Sequence, residues 1–307
     1  VIVLSGDPQR WEPVPRPQAV TIGMYDGVHR GHQRVLAELR AADPDLPLAV
    51  VTFQDHPAIV LHPEDAPLLL TSIEQRLELL EANGADVVAV IDFDDRFRHT
   101  EAATFVEQVL VRALQARVVA VGDDFRFGYR LGGDVTLLEA LGQVHGFEVR
   151  RVGIFEDGEP VRSTAIRRVL ADGDVATAWR MLGRPYQLRG RVVAGDGRGK
   201  TIGFPTANLD IDPRMFVPAS GVYAVECGPG DTRRPGVVNI GVRPTFGGTE
   251  SVVEVHLLDY DGDLYGQELQ VDFWAWIREE RKFPDVDALV AQITSDVATA
   301  RMLLEKD

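Results

Sequence analysis

Two imidazoles three residues apart, His29 and His32, sit inside Gly23-Met24-Tyr25-Asp26-Gly27-Val28-His29-Arg30-Gly31-His32, after a β-type run and before a helical one. Glycines there permit a tight turn and close approach of the backbone to a phosphate. The helix start adds free N–H groups and the positive end of a dipole. Imidazoles so placed can donate hydrogen bonds to phosphate oxygens. A zinc site is the competing reading, but no Cys or third ligand at metal spacing lies nearby. The plain alternative is a capped helix carrying two surface histidines. Two further pieces weigh against it: Val121-Gly122-Asp123-Asp124-Phe125-Arg126-Phe127-Gly128, again past a β-type run, and Arg162-Ser163-Thr164-Ala165-Ile166-Arg167. Hydroxyls at a helix start are commonly no more than an N-cap. All three pieces fall at strand ends or helix starts, however, and in a parallel α/β sheet these converge on one cleft. Phosphate chemistry is the better account.

A second cluster runs from Gly195 to Asn208, GDGRGKTIGFPTAN. It is not a Walker A loop, because its Gly-Lys-Thr lacks the GxxxxGK[ST] spacing and opens no helix. Thr206 and Asn208 are two apart, so an extended chain puts both side chains on one face. A hydroxyl and an amide oxygen are suitable hard ligands for Mg²⁺ bridging ATP phosphates. Downstream, Glu254 lies between Val253 and Val255 and faces away from that apolar pair, which alone describes a solvent-facing strand residue. Val238 to Gly247 and the charged stretch Trp276 to Phe283 complete the set.

The elements that must position these groups divide into two kinds. From Ala19 to about Val152, β-branched runs (19–22, 48–53, 87–91, 118–121, 148–152) alternate with helical stretches (32–42, 73–82, 102–114, 135–145), which implies βαβ units and an open parallel sheet. Residues 162–182 read as two helices broken at Gly173-Asp174. Past Gly183-Arg184-Pro185-Tyr186 come short strands (187–193, 222–226, 236–240, 252–258, 268–274) with Gly/Pro/Asp turns, as in a barrel or sandwich. Asp261-Gly262 is a hairpin-type signal. Apolar residues at 286, 289, 290, 293, 297, 300, 303 and 304 form a helical stripe expected to lie on the barrel. The expected boundary falls at 185, giving domains 1–185 and 186–307.

The 307 residues suit two domains, and the net charge of −15 repels nucleic acid and anionic membranes. One cysteine, Cys227, excludes an internal disulfide scaffold. No apolar run approaches the roughly 20 residues that span a bilayer, and the apolar start Val1 to Leu4 lacks the basic flank of a signal peptide. The expectation is a cytoplasmic protein acting on small molecules, open to homo-oligomerisation. A redox role lacks support, since neither half carries GxGxxG.

The His29-Arg30-Gly31-His32 element resembles the HxGH signature of nucleotidyltransferases. With Thr52-Phe53-Gln54-Asp55-His56-Pro57, Gly122–Gly128 and Ser163–Arg167, it looks like the adenylyltransferase module of prokaryotic bifunctional riboflavin kinase/FAD synthetases. Residues from about 186 to 305 resemble that family's riboflavin kinase module, with the motifs in the same order. The resemblance implies a Rossmann-like α/β nucleotidyltransferase domain followed by an all-β kinase barrel with a C-terminal helix. It also implies ATP and Mg²⁺ as substrate and cofactor, riboflavin as the acceptor, and FMN and FAD as products. Carried over, Glu254 is the kinase carboxylate, Thr206 and Asn208 hold the ATP-associated Mg²⁺, and His29 and His32 are the adenylyltransferase pair. Gly23, Tyr25, Asp26, Gly31, His56, Asp124, Phe127, Ser163, Thr164 and Arg167 would bind nucleotide or flavin in the first module. Gly197, Arg198, Gly199, Lys200, Gly203, Pro205, Asn239, Arg278, Glu280 and Phe283 would do so in the second. Two positions depart from the pattern: Tyr25 replaces the usual Phe, and Arg162 stands where serine is usual, exchanging a hydroxyl near the phosphates for a guanidinium.

Overall fold

The β-branched runs of the first half become strands, and the inner ones are buried on both faces. β1 (Ile2–Gly6), β2 (Gln18–Ile22), β3 (Leu48–Phe53), β4 (Val87–Ile91), β5 (Ala116–Gly122) and, later in the chain, β8 (Glu148–Val152) form one parallel sheet in the order β1-β4-β3-β2-β5-β8. This is a computed structural model, and it describes residues 1–153, 155–157, 159–195, 198–230, 232–245 and 248–305. Helices α1 (Arg30–Ala42) and α3 (Ile73–Ala82) bury Leu36, Leu39 and Leu80 against Ala19, Val50 and Val88 on one face. On the other face Ile22, Val51, Ile91 and Val121 meet Val106, Leu110 and Leu138. Sheets covered on both sides carry the near-continuous apolar runs seen here. α2 (Ala58–Leu61) is a single turn, and α5 (Val135–His145) ends at Gly146 in the left-handed region. The two-residue strands β6 (Arg126–Phe127) and β7 (Gly133–Asp134) pair, as do β9 (Glu156–Asp157) and β10 (Glu159–Pro160).

Two details differ from the sequence expectation. The Val1–Leu4 start contributes to an edge strand paired with β4. The helix expected over 102–114 is α-helical only as α4 (Ala102–Phe105), then widens to a π-helix over Val106–Ala113 that buries Val106, Val109, Leu110 and Ala113.

In the second half β11 (Tyr186–Val193), β12 (Ala207–Asp210), β13 (Gly221–Pro229), β14 (Arg234–Thr245), β15 (Gly248–Leu257) and β16 (Glu268–Arg278) close into an antiparallel barrel, order β11-β12-β15-β14-β13-β16. β15 therefore pairs with β12 and β14, and β16 with β11 and β13. Asp261-Gly262 joins two strands that are not neighbours, so it is no hairpin. The short α8 (Arg198–Thr201) lies between β11 and β12, and α9 (Val286–Leu304) buries Ala300 and packs Val297 and Leu304 against Val222, Ala224 and Val237.

The chain divides into two compact units, Val1–Arg162 and Ser163–Asp307. Helices α6 (Ser163–Ala171) and α7 (Val175–Leu182) go with the barrel, whereas the sequence boundary at 185 leaves them with the first half. The Ala219 N–H donates to the Leu170 carbonyl at 3.0 Å. At Gly173, with φ at +77°, a Cβ would meet the Trp276 ring at 2.5 Å, so only glycine admits that indole.

Candidate active sites

The turn between β2 and α1 is strained and tightly held. Tyr25 and Val28 both have positive φ, 52° and 37°, which is unfavourable for a β-branched residue. Val28 is fully buried, and the Gln33 side chain donates to its carbonyl at 2.8 Å. His29 is the N-cap of α1: its Nδ1 accepts from the His32 N–H at 3.4 Å. That bond fixes the tautomer, since an accepting Nδ1 in neutral imidazole leaves the proton on Nε2. The two imidazoles stack with centroids 3.6 Å apart, and the Tyr25 ring lies 4.6 Å from that of His32. Among the described residues His32 Nδ1 is buried without a hydrogen-bond partner, and burial, followed by the charges of His29 and Arg76, pushes its pKa well below the usual value. His32 is therefore neutral. A neutral His32 beside the N-capping His29 at a helix N-terminus offers N–H donors where phosphate would sit.

What fixes this turn is Asp26 together with residues the sequence reading did not single out. The buried Asp26 carboxylate accepts from the N–H groups of Leu70 and Thr71, the shortest at 2.9 Å, and from the Thr71 hydroxyl at 3.2 Å. The same hydroxyl accepts from the Gly27 N–H at 3.0 Å. Ser72 and Gln75 form a capping box that starts α3. One residue on, the fully buried Arg76 donates to the Phe53 carbonyl at 2.6 Å and reaches Thr71 O at 3.5 Å, while Thr52 Oγ1 donates to Met24 O at 2.8 Å. The Ser-x-x-Gln cap was the available signal. Nothing local in the sequence ties it to a turn more than 40 residues earlier.

Strands β3, β2 and β5 are adjacent, so the loops after them are neighbours at the carboxyl edge of the sheet. The chain switches direction beside β2, the usual place for a ligand crevice. His56 follows β3 and its Nδ1 accepts from Ala58 N–H at 3.1 Å. After β5 come exposed Asp124, whose Oδ1 would lie 3.1 Å from a Cβ at position 122, and buried Phe127, stacked on Phe125 at 5.3 Å. Gly23 would meet the Tyr25 ring at 3.2 Å if it carried a Cβ. Tyr25 gives its hydroxyl to a bond with Thr21 at 2.8 Å, and burial raises its pKa. Tyr25 and Asp26 are thus internal braces of the turn. Ser163, Thr164 and Arg167 lie on α6, the first helix of the second unit.

The barrel site follows from register. Asn208 pairs with Glu254, Glu254 with Asn239, Asn239 with Val222, and Val222 with Arg278, one row across five strands. Val253 and Val255 point into the core, so Glu254 points out, as its alternation demands. It meets a cavity of about 820 Å³, lined also by Thr206, Asn208, Asn239, His256, Arg278, Glu280 and Phe283. That volume suits a small-molecule ligand, with apolar walls from Val222, Val237, Leu289 and Ile293. Glycines bring the wall loop close: a Cβ at Gly195 would collide with the Asn208 amide, and one at Gly199 with the Phe204 carbonyl while lying 3.3 Å from Thr206 Oγ1. Gly203, at φ +88°, turns the chain into Phe204-Pro205. Arg278 is held by the buried Asp296 of α9 through three contacts of 2.8–3.1 Å, and its guanidinium lies 5.7 Å from the Phe283 ring centroid. Glu280 lies against Gly241, where a Cβ would come within 2.9 Å of its Oε1. Gly197 lies outside the described residues, and Arg198 and Lys200 are described only as backbone, in α8. Among the described residues, no cluster of three or more His, Cys, Asp or Glu could hold a metal by itself. The donors present, one hydroxyl and one amide beside a glycine-shaped cradle, fit Mg²⁺ that arrives with nucleotide phosphates.

Fold and geometry together define a two-module phosphate-transfer protein, one module built on paired histidines at a strand-to-helix turn and the other on a carboxylate in a barrel-side cavity. The FAD synthetase family model matches residues 12–165, and the riboflavin kinase family model matches 182–304. The bifunctional riboflavin kinase/FMN adenylyltransferase of Escherichia coli K12 is 44% identical over 92% of this chain and 91% of its own. That of Pseudomonas fluorescens is 42% identical over 95% and 94%. A crystal structure from Streptococcus pneumoniae, described as a macrolide-efflux protein, superposes with a TM-score of 0.89 at 31% identity, covering 98% of this chain and 99% of that one. The chain belongs to the bifunctional riboflavin kinase/FMN adenylyltransferase family. Among its described residues, no helix is long and apolar enough to cross a membrane.

Proposed function

We propose that the chain makes flavin coenzymes in two steps, each at one of the two sites, and that it does so in the cytoplasm without nucleic acid or membrane. In the barrel, Glu254 takes the proton from the ribityl 5′-hydroxyl of riboflavin as that oxygen attacks the γ-phosphate of ATP, giving FMN and ADP. A base within hydrogen-bond reach contributes typically ~10²–10⁴-fold. Thr206 and Asn208 would hold Mg²⁺ with the ATP phosphates, where it would supply charge neutralisation for the transferring group. Asn239 flanks Glu254 on the next strand, and the Arg278–Phe283 segment closes over the flavin.

In the α/β unit the phosphate of FMN attacks the α-phosphate of a second ATP, giving FAD and pyrophosphate. The nucleophile is already an anion, so the site has little proton transfer to perform. His29 and His32 donate to the charge that develops on the α-phosphate and the leaving pyrophosphate. The loops with Gly23, His56, Asp124 and Phe127 border that site. The family resemblance assigns Ser163, Thr164 and Arg167 to the leaving phosphates, and the FAD synthetase match runs on to residue 165. On this reading the functional module extends to about 185, across the division between compact units.

The observation that carries the kinase assignment is the row Asn208–Glu254–Asn239 facing the cavity. Glu254→Ala should abolish FMN formation yet leave FAD formation from supplied FMN. His29→Ala with His32→Ala should do the reverse. Chromatographic separation of the flavins reads both activities, and loss of both from either change would overturn the assignment.

A further inference from the structure

His256 stands two residues past Glu254 on β15, so both side chains leave the strand on one face, and both line the barrel cavity. The β12–β15 ladder pairs Asn208 with Glu254 and Ala207 with Val255. One step further along the same register lies Thr206, opposite His256, but that step is beyond the last ladder pair. The sheet itself therefore leaves Thr206 unfixed. The imidazole supplies the missing hold. Its Nδ1 lies 2.7 Å from the Pro205 carbonyl oxygen, and because a carbonyl only accepts, Nδ1 carries the proton. The Phe204 ring meets the imidazole edge-on with centroids 5.6 Å apart. Two successive residues, Phe204 and Pro205, are thus tied to one side chain immediately before Thr206.

We propose that His256 is a positioning residue of the kinase site: by its bond to Pro205 and its contact with Phe204 it holds Thr206 beside Asn208, and so sets the affinity for the magnesium–nucleotide complex. This rests on the reading of Thr206 as a magnesium ligand. The hydrogen bond and the ring contact are separable. His256→Asn keeps an N–H donor in reach of Pro205 but loses the ring, while His256→Phe keeps a ring and loses the donor.

The test measures kinase initial rates against Mg²⁺ concentration, together with KM for ATP and for riboflavin, in both variants, in Thr206→Ala and in His256→Phe/Thr206→Ala. Adenylyl transfer from supplied FMN and the thermal unfolding midpoint are followed in the same preparations as checks on folding. His256→Phe should raise the half-saturating Mg²⁺ and KM for ATP by about tenfold, the scale of one lost hydrogen bond, with KM for riboflavin within about twofold. His256→Asn should stay within about threefold of the parent. The double variant should be no worse than Thr206→Ala, because His256 acts through that residue. Unchanged Mg²⁺ dependence in His256→Phe, with a clear shift in Thr206→Ala, would overturn the role of His256 alone. No shift in Thr206→Ala would overturn the metal reading beneath it. An equal rise in KM for riboflavin, or additive losses in the double variant, would reduce His256 to a general structural part and defeat the proposal.

Discussion

A Cβ at position 31 would lie 3.1 Å from Nδ1 and Cε1 of His29 and 3.3 Å from the Val161 carbonyl oxygen, tighter than ordinary side-chain contact. Alanine is otherwise the better helix residue, by roughly 0.5–1 kcal/mol over glycine. Gly31→Ala therefore separates stability from function. The thermal midpoint should hold or rise slightly, while FAD formation from FMN falls, by less than the ~10²-fold of a 1 Å misplacement, because a 3.1 Å contact moves the imidazole only a few tenths of an ångström. His32 makes a second residue-scale prediction. Its imidazole is kept neutral in the fold by burial and by the charges of His29 and Arg76, whereas in the unfolded chain it titrates near the ordinary value of about 6.5. Below that pH the unfolded state binds a proton that the native state refuses, so stability falls as pH drops from about 6.5 toward the depressed native pKa. His32→Gln should lose less stability than the parent between pH 7 and pH 5 by urea unfolding. An identical slope would place the acid sensitivity elsewhere. At this scale the histidines and glycines are legible in the sequence because their spacing is the chemistry. Thr71, Arg76 and the bracing role of Asp26 are not, because their partners are set by tertiary contact.

Elements decide which of these side chains meet. The alternation Val253-Glu254-Val255 shows that the glutamate leaves the core, but it does not say what waits on that side. The answer is the ladder that places Asn208 and Asn239 on either flank and α9 above. The phase of Thr206 and Asn208 is legible, yet β12 itself, four residues behind a Gly-Phe-Pro turn, carries too little pattern to read as a strand. Asp261-Gly262 misleads for a related reason: turn residues mark where the chain bends, while barrel closure between distant strands decides who pairs. α9 does more than cover the barrel. Its Asp296 is 3% exposed and binds the guanidinium of Arg278, and Gln292 adds a bond to the same carboxylate at 2.7 Å. Asp296→Ala leaves a half-buried guanidinium without its carboxylate. The expected cost is about 2 kcal/mol, below the range for fully buried pairs because Arg278 keeps some solvent. The urea midpoint should fall accordingly, and KM for riboflavin should rise as the segment after β16 loosens. A variant with parental stability and kinetics would show that this pair anchors nothing.

At the scale of the whole molecule, the histidine pair and Glu254 stand on different compact units of one chain. A net charge of −15 gives no general attraction for anions, so each site must hold ATP by its own local donors. FMN is then the only species that need connect the two reactions. If it travels through solution, two defective chains should complement each other. A mixture of Glu254→Ala with His29→Ala/His32→Ala, given riboflavin, ATP and Mg²⁺, should produce FAD although neither protein does so alone. FMN released by the second variant must first accumulate toward the KM of the adenylyl site, so FAD should appear after a lag. The lag should shorten as the kinase-competent partner is increased, and it should vanish when FMN is supplied at the start. A time course of the three flavins by chromatography distinguishes the cases. Absence of FAD from the mixture, with both single activities intact, would mean that FMN passes directly between the sites of one chain or one assembly. The two reactions would then be coupled in a way that independent sites on separate units do not require.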